Sequence, residues 1–312
     1  MKNTYKLTEG AILLSIFSIF LLLALYVPLL GAVVHLILSI PFILFTAKYT
    51  RKDSFVFFCS AVFISFFIGS FIALSFTICY GMTGAVMGDF IRRGKSRVAL
   101  YMAASFIYLI NLVGTYIVSI YFLKINFIKD TLEALKKAFE QSIELMKAFG
   151  QGNANLTIEQ VEDTFKLLEI LVPSLFIITS FVAVFVIQLV CFPIVKRLGV
   201  KVDNWGELHT FSFPKSILWY NVIAMVIAYL FHIEKGSLGF SILLNTILIL
   251  QWCMVVQGMV FLFFLAKRYE LPKATPIIMT VLTFIFPFLL SIVWILGIID
   301  LGYDLKKILV KK

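Results

Sequence analysis

Charge is scarce in this sequence. Charged residues make up 14% of its 312 residues, whereas soluble domains average about 25%. No charged residue occurs from Ser54 to Gly88, a run longer than the roughly 20 residues that one bilayer crossing needs. Since 61% of the residues are apolar and the mean hydropathy is +1.02, a soluble globular domain is excluded. The composition predicts an all-α, polytopic transmembrane helical bundle.

Catalytic and metal-binding patterns are also lacking. The four cysteines lie within apolar segments and form no C-x-x-C pair: Cys59, Cys79, Cys191 and Cys253. Neither a disulfide framework nor a metal site is indicated, and we expect no cofactor. Five residues separate Gly88 from Gly94 in a sequence that resembles a phosphate-binding loop, which requires four. Because no H-E-x-x-H or G-x-S-x-G motif occurs either, we expect that the protein is not an enzyme.

Positive charge is present, but it is clustered. The net charge of +10 comes from Lys and Arg residues that lie in short groups between apolar segments, as the positive-inside rule describes for cytoplasmic loops. This pattern favours the lipid bilayer of the plasma membrane, and not a nucleic acid, as the partner. We interpret one such group as cytoplasmic anchors: Arg92, Arg93, Lys95 and Arg97.

The apolar segments predict eight or nine membrane helices. Their approximate ranges are 10–26, 29–47, two between 54 and 90, 98–123, 169–194, 216–232, 238–266 and 276–299. We place the turn between the third and fourth near Gly69 and Ser70, which keeps both flanking basic groups on one side. One long tilted helix is the alternative. Pro41 and Pro287 predict kinks, and the side on which the C-terminus lies stays open.

Residues 124–168 interrupt the apolar pattern. Leucine, isoleucine and phenylalanine recur there at three- and four-residue spacing, which predicts amphipathic helices. Glycines and asparagines near 150–155 split the segment into two. We therefore expect a single integral membrane domain over 1–312. It comprises N-terminal helices (1–123), an amphipathic extramembrane insertion (124–168) and C-terminal helices (169–312).

Polar and small residues within the crossings are the candidate functional positions. A polar side chain is costly in hydrocarbon, so we take five such residues as substrate or pathway candidates: His35, Asn111, Gln188, Asn221 and Asn245. Small residues let helix backbones approach closely. Two groups are therefore candidates for helix packing or for a partner interface: Gly81, Gly84 and Gly88 in the middle of the chain, and Gly10, Ala11 and Ser15 on the first helix. We expect the two groups to face each other within the chain; docking of a partner is the alternative.

Three stretches of the chain resemble one family. They are TEGAILLSIFSIFLLLALYVPLLG at the start, YGMTGAVMGDFIRRGKS in the middle and GIIDLGYDLKK at the end. Together with their spacing, they resemble the YybS-type family of uncharacterised bacterial multi-pass membrane proteins. That family is distantly similar to the substrate-binding S components of energy-coupling-factor transporters.

The resemblance implies a transport-related protein that binds a small solute within the helical bundle. S components have six helices, and an Ala-x-x-x-Ala pattern on their first helix faces a membrane partner subunit. Ala11 and Ser15 match this spacing, with serine in the second place. The alternative is a membrane scaffold or partner-binding protein that binds no solute.

Overall fold

The computed structural model describes residues 2–148, 158–203, 211–231, 234, 236–272 and 274–310. Within these ranges the chain forms twelve α-helices and no strand, which confirms the predicted all-α class. The helices are α1 (Lys2–Tyr26), α2 (Pro28–Ile37), α3 (Ile40–Lys48), α4 (Arg51–Arg92), α5 (Arg97–Tyr121), α6 (Phe127–Ala148), α7 (Ile158–Arg197), α8 (Ser216–Leu230), α9 (Leu238–Arg268), α10 (Ala274–Ile285), α11 (Pro287–Tyr303) and α12 (Leu305–Val310).

Seven segments of the described chain are long and apolar enough to cross a membrane. They are Thr4–Tyr26, Pro28–Lys48, Arg51–Gly69, Phe71–Arg92, Arg97–Tyr121, Val161–Arg197 and Leu238–Arg268. The pair α10 and α11, bent by 119°, makes an eighth if it counts as one span. The predicted crossing at 216–232 corresponds to α8, whose 15 residues extend about 22 Å at 1.5 Å per residue, short of a hydrocarbon core of about 30 Å. The described residues therefore contain seven or eight candidate crossings, which overlaps the predicted eight or nine.

Helix α4 reverses direction near Gly69. The hydroxyls of Ser65 and Thr77 lie 2.5 Å apart, whereas 12 residues of straight helix would separate them by about 18 Å. Arg51 at one end of α4 likewise contacts Asp89 near the other end at 3.0 Å. The first arm (Arg51–Gly69) and the second arm (Phe71–Arg92) are thus antiparallel, as the interpretation with two helices predicts.

Prolines set the breaks between helices. Pro28 and Pro287 each occupy the first turn of a helix, α2 and α11, after an extended residue. Proline is tolerated there because the first amide of a helix has no intrahelical acceptor. Pro41 lies in the first turn of α3, after the break that ends α2. At Pro287 the expected kink is a bend of 119° between two helices. At Pro41 only two turn residues separate α2 from α3, and both helices belong to one membrane-length segment.

The amphipathic segment is helical wherever it is described from Phe127 onward, and only residues 124–126 are not. α6 covers its first part, and α7 runs without interruption from Ile158 through the predicted sixth crossing. Lys136 of α6 pairs with Glu162 of α7 at 2.9 Å, and Phe139 meets Phe165 edge to face at 6.2 Å. The predicted split near 150–155 lies outside the described residues.

The chain forms two compact units. Unit 1 comprises residues 1–130 and 179–204, and unit 2 comprises residues 131–178 and 205–312. Aromatic rings fill the core of unit 1: Phe42 of α3 is fully buried and contacts Phe17 of α1 at 5.0 Å and Phe57 of α4 at 5.4 Å. Such edge-to-face pairs stabilise by about 0.5–1.5 kcal/mol beyond the buried area. These rings hold α1, α3 and α4 together.

Unit 2 is built on a close crossing of α9 and α11. A Cβ atom added at Gly258 would lie 2.0 Å from the carbonyl oxygen of Val293, and one added at Gly297 would lie 1.9 Å from that of Met254. The two backbones are therefore in direct contact, which only glycine permits. Neither glycine is a candidate from the sequence, because neither forms a G-x-x-x-G pair within its helix.

Candidate functional site

His35 is packed between aromatic rings of unit 1. It lies on α2, and its imidazole contacts Phe76 edge to face at 4.5 Å and stacks on Tyr80 at 5.7 Å. Tyr80 in turn meets Tyr108 of α5 at 6.0 Å. The Nδ1 atom of His35 is buried and has no hydrogen-bond partner among the residues that the structure describes. A buried polar atom without a partner costs roughly 1–3 kcal/mol, so we expect this atom to form a hydrogen bond with a water molecule or a ligand group.

Gln188 of α7 approaches the same part of unit 1. Cys191, one turn further along α7, donates to the carbonyl oxygen of Leu36 at 3.0 Å, and Leu36 directly follows His35. Gln188 is fully buried, and neither its Oε1 nor its Nε2 atom has a hydrogen-bond partner in the described part of the chain. An amide offers one acceptor and two donors. We call the residues His35, Tyr80, Tyr108 and Gln188 the central polar group.

The central polar group lies far from the charged end of unit 1. Tyr80 lies 12 residues before Arg92, Tyr108 lies 11 residues after Arg97, and Gln188 lies 9 residues before Arg197. At 1.5 Å per residue these separations are about 18, 16 and 14 Å, close to half of a hydrocarbon core of about 30 Å. Polar groups at this depth have no bulk water to bond, and the four side chains include no carboxylate, ammonium or guanidinium group.

The other predicted polar residues are placed differently. In unit 1, Asn111 of α5 donates from Nδ2 to the carbonyl oxygen of Ile107, one turn earlier, at 2.8 Å. In unit 2, Asn221 of α8 is 1% exposed, and its Nδ2 atom has no partner. The structure therefore divides the five candidates between the two units.

Asn245 bonds two backbone groups of α7 in unit 2 that lack their usual helical partners. Its Oδ1 atom accepts from the backbone nitrogen of Ser174 at 2.9 Å, and its Nδ2 atom donates to the carbonyl oxygen of Ile170 at 2.8 Å. A regular helix would pair these two backbone groups with each other. Pro173 lies between them, and a proline ring inside a helix disturbs the preceding turn. Asn245 thus joins α9 to α7 as a structural clamp.

Unit 2 contains a buried ion pair, Asp300–Lys306, whose residues are not among the five polar candidates from the sequence. The Asp300 side chain is 2% exposed, and its Oδ2 atom pairs with Lys306 at 3.3 Å and accepts from Nε2 of Gln257 at 2.6 Å. Lys306 also donates to the carbonyl oxygen of Phe211 at 2.6 Å. These contacts give a structural role to Asp300 and Lys306 of the GIIDLGYDLKK tail. The sequence does not reveal the contact of Asp300 with Gln257, because the two residues lie on different helices.

The glycine group of α4 packs on α3. A Cβ atom at Gly84 would lie 2.7 Å from the carbonyl oxygen of Ser39, just before α3, and one at Gly88 would lie 2.7 Å from that of Ile43. Gly81 faces the Phe42 ring at 3.0 Å, and Gly10 of α1 faces Phe45. The surface opposite the α4 glycines is therefore α3, and not the small face of α1 that the sequence suggested.

Ala11 and Ser15 remain on the surface of the described chain. Both are exposed, and the Ser15 hydroxyl donates to the carbonyl oxygen of Ala11 at 2.9 Å. Their small side chains leave a shallow strip along α1.

The predicted anchors form part of the basic end of unit 1. Helix termini meet there, as the ion pairs Lys48–Glu9 at 2.5 Å and Lys6–Asp53 at 2.6 Å show. Arg92 and Arg93 pair with Asp89, and Lys95 is exposed. Arg97 lies 3.9 Å above the Phe192 ring and donates to the carbonyl oxygen of Asp203 at 3.1 Å, so it also holds α5 to α7.

Two apolar grooves open on the outside of the helices. One, of about 480 Å³, lies between α8 and α9 and is lined by residues such as Ile223, Ala224 and Gly239. The other, of about 490 Å³, follows one face of the first arm of α4. Among the described residues, no group of three His, Cys, Asp or Glu side chains could hold a metal ion.

The apolar spans and the clustered basic residues define a multi-pass membrane protein. Residues 15–301 match the family described as "Predicted membrane protein (DUF2232)", and the chain belongs to this family. It is similar to the uncharacterized protein YybS of Bacillus subtilis (strain 168), with 28% identity over 307 residues that cover 98% of this chain and 99% of the relative. No solved structure matches the chain.

Proposed function

We propose that the protein binds a small, neutral solute in unit 1 and takes part in its transport across the plasma membrane. The observation that carries this proposal is the central polar group, in which His35 Nδ1 and the whole Gln188 amide are buried without partners. Buried polar atoms are nearly always hydrogen-bonded in native proteins. A solute with both donors and acceptors would supply the missing bonds.

The helix content of unit 1 supports the proposal. Unit 1 holds five complete membrane-length segments, from α1 to α5, and residues 179–197 of α7. The last stretch extends about 28 Å at 1.5 Å per residue. Six such segments equal the number of helices in the S components, to which we expect the family to be distantly similar. This is an argument from analogy of fold, and the solute itself must be identified by experiment.

The chemistry of the central polar group limits the solute. Its side chains offer rings and uncharged hydrogen-bonding groups, and a charged solute would have to shed its hydration without an opposite charge to replace it. We therefore propose a flat, uncharged compound that can lie against Phe76 and Tyr80. We propose no catalytic role, cofactor or nucleic-acid partner.

Native mass spectrometry of the full-length protein, purified in mild detergent, tests the proposal. We expect a co-purifying small molecule, and we expect Gln188→Leu to lose it while the protein remains folded. Asn245→Leu is the matched control, since it removes an amide that is already fully bonded in unit 2 and should retain the molecule. Wild-type protein free of any small molecule when isolated from cells, or equal retention by both variants, would contradict the proposal.

A partner-binding scaffold is the second candidate, and the exposed strip at Ala11 and Ser15 favours it. Helix association in lipid depends on close backbone approach, which small residues permit. Ala11→Leu should then remove a co-purifying membrane protein without lowering the melting temperature. If the partner is lost but a small molecule is retained, the strip and the central polar group serve separate steps of transport.

A further inference from the structure

We propose that the basic end of unit 1 carries a specific binding site for an anionic phospholipid headgroup, formed by Arg51, Arg92 and Arg93. All three guanidinium groups contact the single carboxylate of Asp89. Arg51 does so twice, from Nε at 3.2 Å and from Nη2 at 3.0 Å. We call these three residues the arginine triad.

The charges of the arginine triad are not balanced. Elsewhere at this end, Lys48 faces Glu9 and Lys6 faces Asp53, one charge against one. Around Asp89, three positive charges meet one negative charge, which leaves a local excess of two. Since all three guanidinium groups touch one carboxylate, they also lie within a few ångströms of one another. A second anion would relieve their mutual repulsion.

The triad also has hydrogen-bond donors to spare. Each guanidinium has five N–H donors in a fixed fork, a geometry that suits phosphate oxygens. A carboxylate offers about four lone-pair positions, and Arg92 uses one further donor on the carbonyl oxygen of Tyr49. Fifteen donors therefore face far fewer protein acceptors. The Arg51 side chain is 66% exposed and that of Arg93 is 38% exposed, so a ligand can reach both.

The position of the triad favours a lipid over a free phosphate. Arg51 begins the membrane-length segment Arg51–Gly69, and Arg92 ends Phe71–Arg92. The residues at the ends of such segments lie at the level of the headgroups. Lys52 and Lys95, both exposed next to the triad in sequence, add to the attraction for an anionic surface. A headgroup phosphate bound there would hold the two arms of α4 and the end of α3 together.

Native mass spectrometry and thermal melting of the full-length protein in nanodiscs test this site. The probes are discs of phosphatidylcholine alone and discs with one part of phosphatidylglycerol in five. We expect wild type to retain one phosphatidylglycerol molecule and to melt at a higher temperature in the mixed discs. In Arg51→Gln/Arg93→Gln, we expect the affinity for that lipid to fall by at least about tenfold, which corresponds to about 1.4 kcal/mol. Arg92 is left unchanged because it also bonds Tyr49.

Two further variants make the result decisive. Lys201→Gln removes one exposed positive charge beyond the end of α7 and should retain the lipid, since it lies outside the triad. Asp89→Asn removes the competing carboxylate and should bind phosphatidylglycerol more tightly than wild type. Equal losses in Lys201→Gln and in the double variant would show only diffuse attraction and overturn the site. Equal retention of phosphatidylcholine and phosphatidylglycerol by wild type would also overturn the site. Complete displacement of phosphatidylglycerol by millimolar inorganic phosphate would do the same.

Discussion

Replacing Gly297 by alanine should push α9 and α11 apart. The added Cβ atom would lie 1.9 Å from the carbonyl oxygen of Met254 and 2.9 Å from the backbone nitrogen of Gly258. Ordinary contacts of a Cβ atom begin near 3.4 Å, so one helix must move by roughly 1.5 Å. Because the opposing atoms are backbone, no change of side-chain rotamer relieves the clash. Overpacking of this kind costs about 1–3 kcal/mol.

The intrinsic preference of helices for alanine acts in the opposite direction. Alanine stabilises a helix interior by roughly 0.5–1 kcal/mol relative to glycine. Gly114 of α5 isolates this effect, because a Cβ atom there would meet nothing within 4 Å. In detergent, we expect Gly297→Ala and Gly258→Ala to melt several degrees lower than wild type, while Gly114→Ala melts at the same temperature or higher. Adding Met254→Ala to Gly297→Ala should not restore stability, since the clash involves the backbone.

Melting temperatures of Gly297→Ala and Gly258→Ala equal to that of Gly114→Ala would refute the reasoning. The helices would then be free to separate without loss, and close backbone contact would not be what holds unit 2 together.

Two other perturbations probe contacts between helices. Asn245→Leu leaves Ser174 N–H and Ile170 C=O without the amide that bonds them. It should therefore lower stability by about 1–3 kcal/mol, which thermal melts would detect. An unchanged melting temperature would show that α7 does not need these two hydrogen bonds. The hydrogen bond that Lys136 donates to the Glu162 carboxylate raises the pKa of Lys136. The stability that this ion pair contributes to the folded state is therefore complete below the ordinary lysine pKa, and it is lost as pH rises through the raised pKa of Lys136. Wild type should then lose its stability advantage over Lys136→Met in strongly alkaline melts, and a constant difference would contradict this.

The sequence predicts which residues lie in membrane helices, because hydrophobicity is a local property. It also places the reversal in α4, since two basic groups flank a run too long for one crossing. Proline positions mark the helix breaks at α2, α3 and α11. The number of crossings is predicted less closely, as eight or nine against seven or eight in the described residues. α8 is mostly apolar, but only its helical length shows that it is short. Apolar composition alone does not reveal where a helix ends.

Contacts between helices are the part that the sequence does not predict. Gly84 and Gly88 are visible as a G-x-x-x-G pair, but nothing local tells α3 from α1 as the surface they meet. Asn245 and Pro173 lie far apart in the chain, and their relation depends on the packing of α9 against α7. The same holds for His35 and Gln188, which are separately recognisable as costly polar residues in hydrocarbon. Only the fold brings α2 and α7 together through Cys191 and Leu36.

The buried ion pair of unit 2 permits one more prediction, which concerns the relative stabilities of its single and double variants. Lys306 pairs with Asp300, and burial lowers the pKa of Lys306 while the Asp300 charge opposes that shift. Lys306→Met leaves the Asp300 carboxylate, with a side chain 2% exposed, bonded to Gln257 but without a positive charge. Removing one partner of a buried pair costs about 3–5 kcal/mol. Asp300→Asn should cost less, because Lys306 keeps its bond to the carbonyl oxygen of Phe211 and is 14% exposed.

The double variant Asp300→Asn/Lys306→Met then separates charge from packing. Without the buried negative charge, it should melt at a higher temperature than Lys306→Met alone, although it carries one more substitution. A double-mutant cycle measures this coupling directly. If the two effects instead add, the side chains act independently, and the polar residues of the tail stabilise α11 and α12 through packing and the bond to Phe211 rather than through their charges.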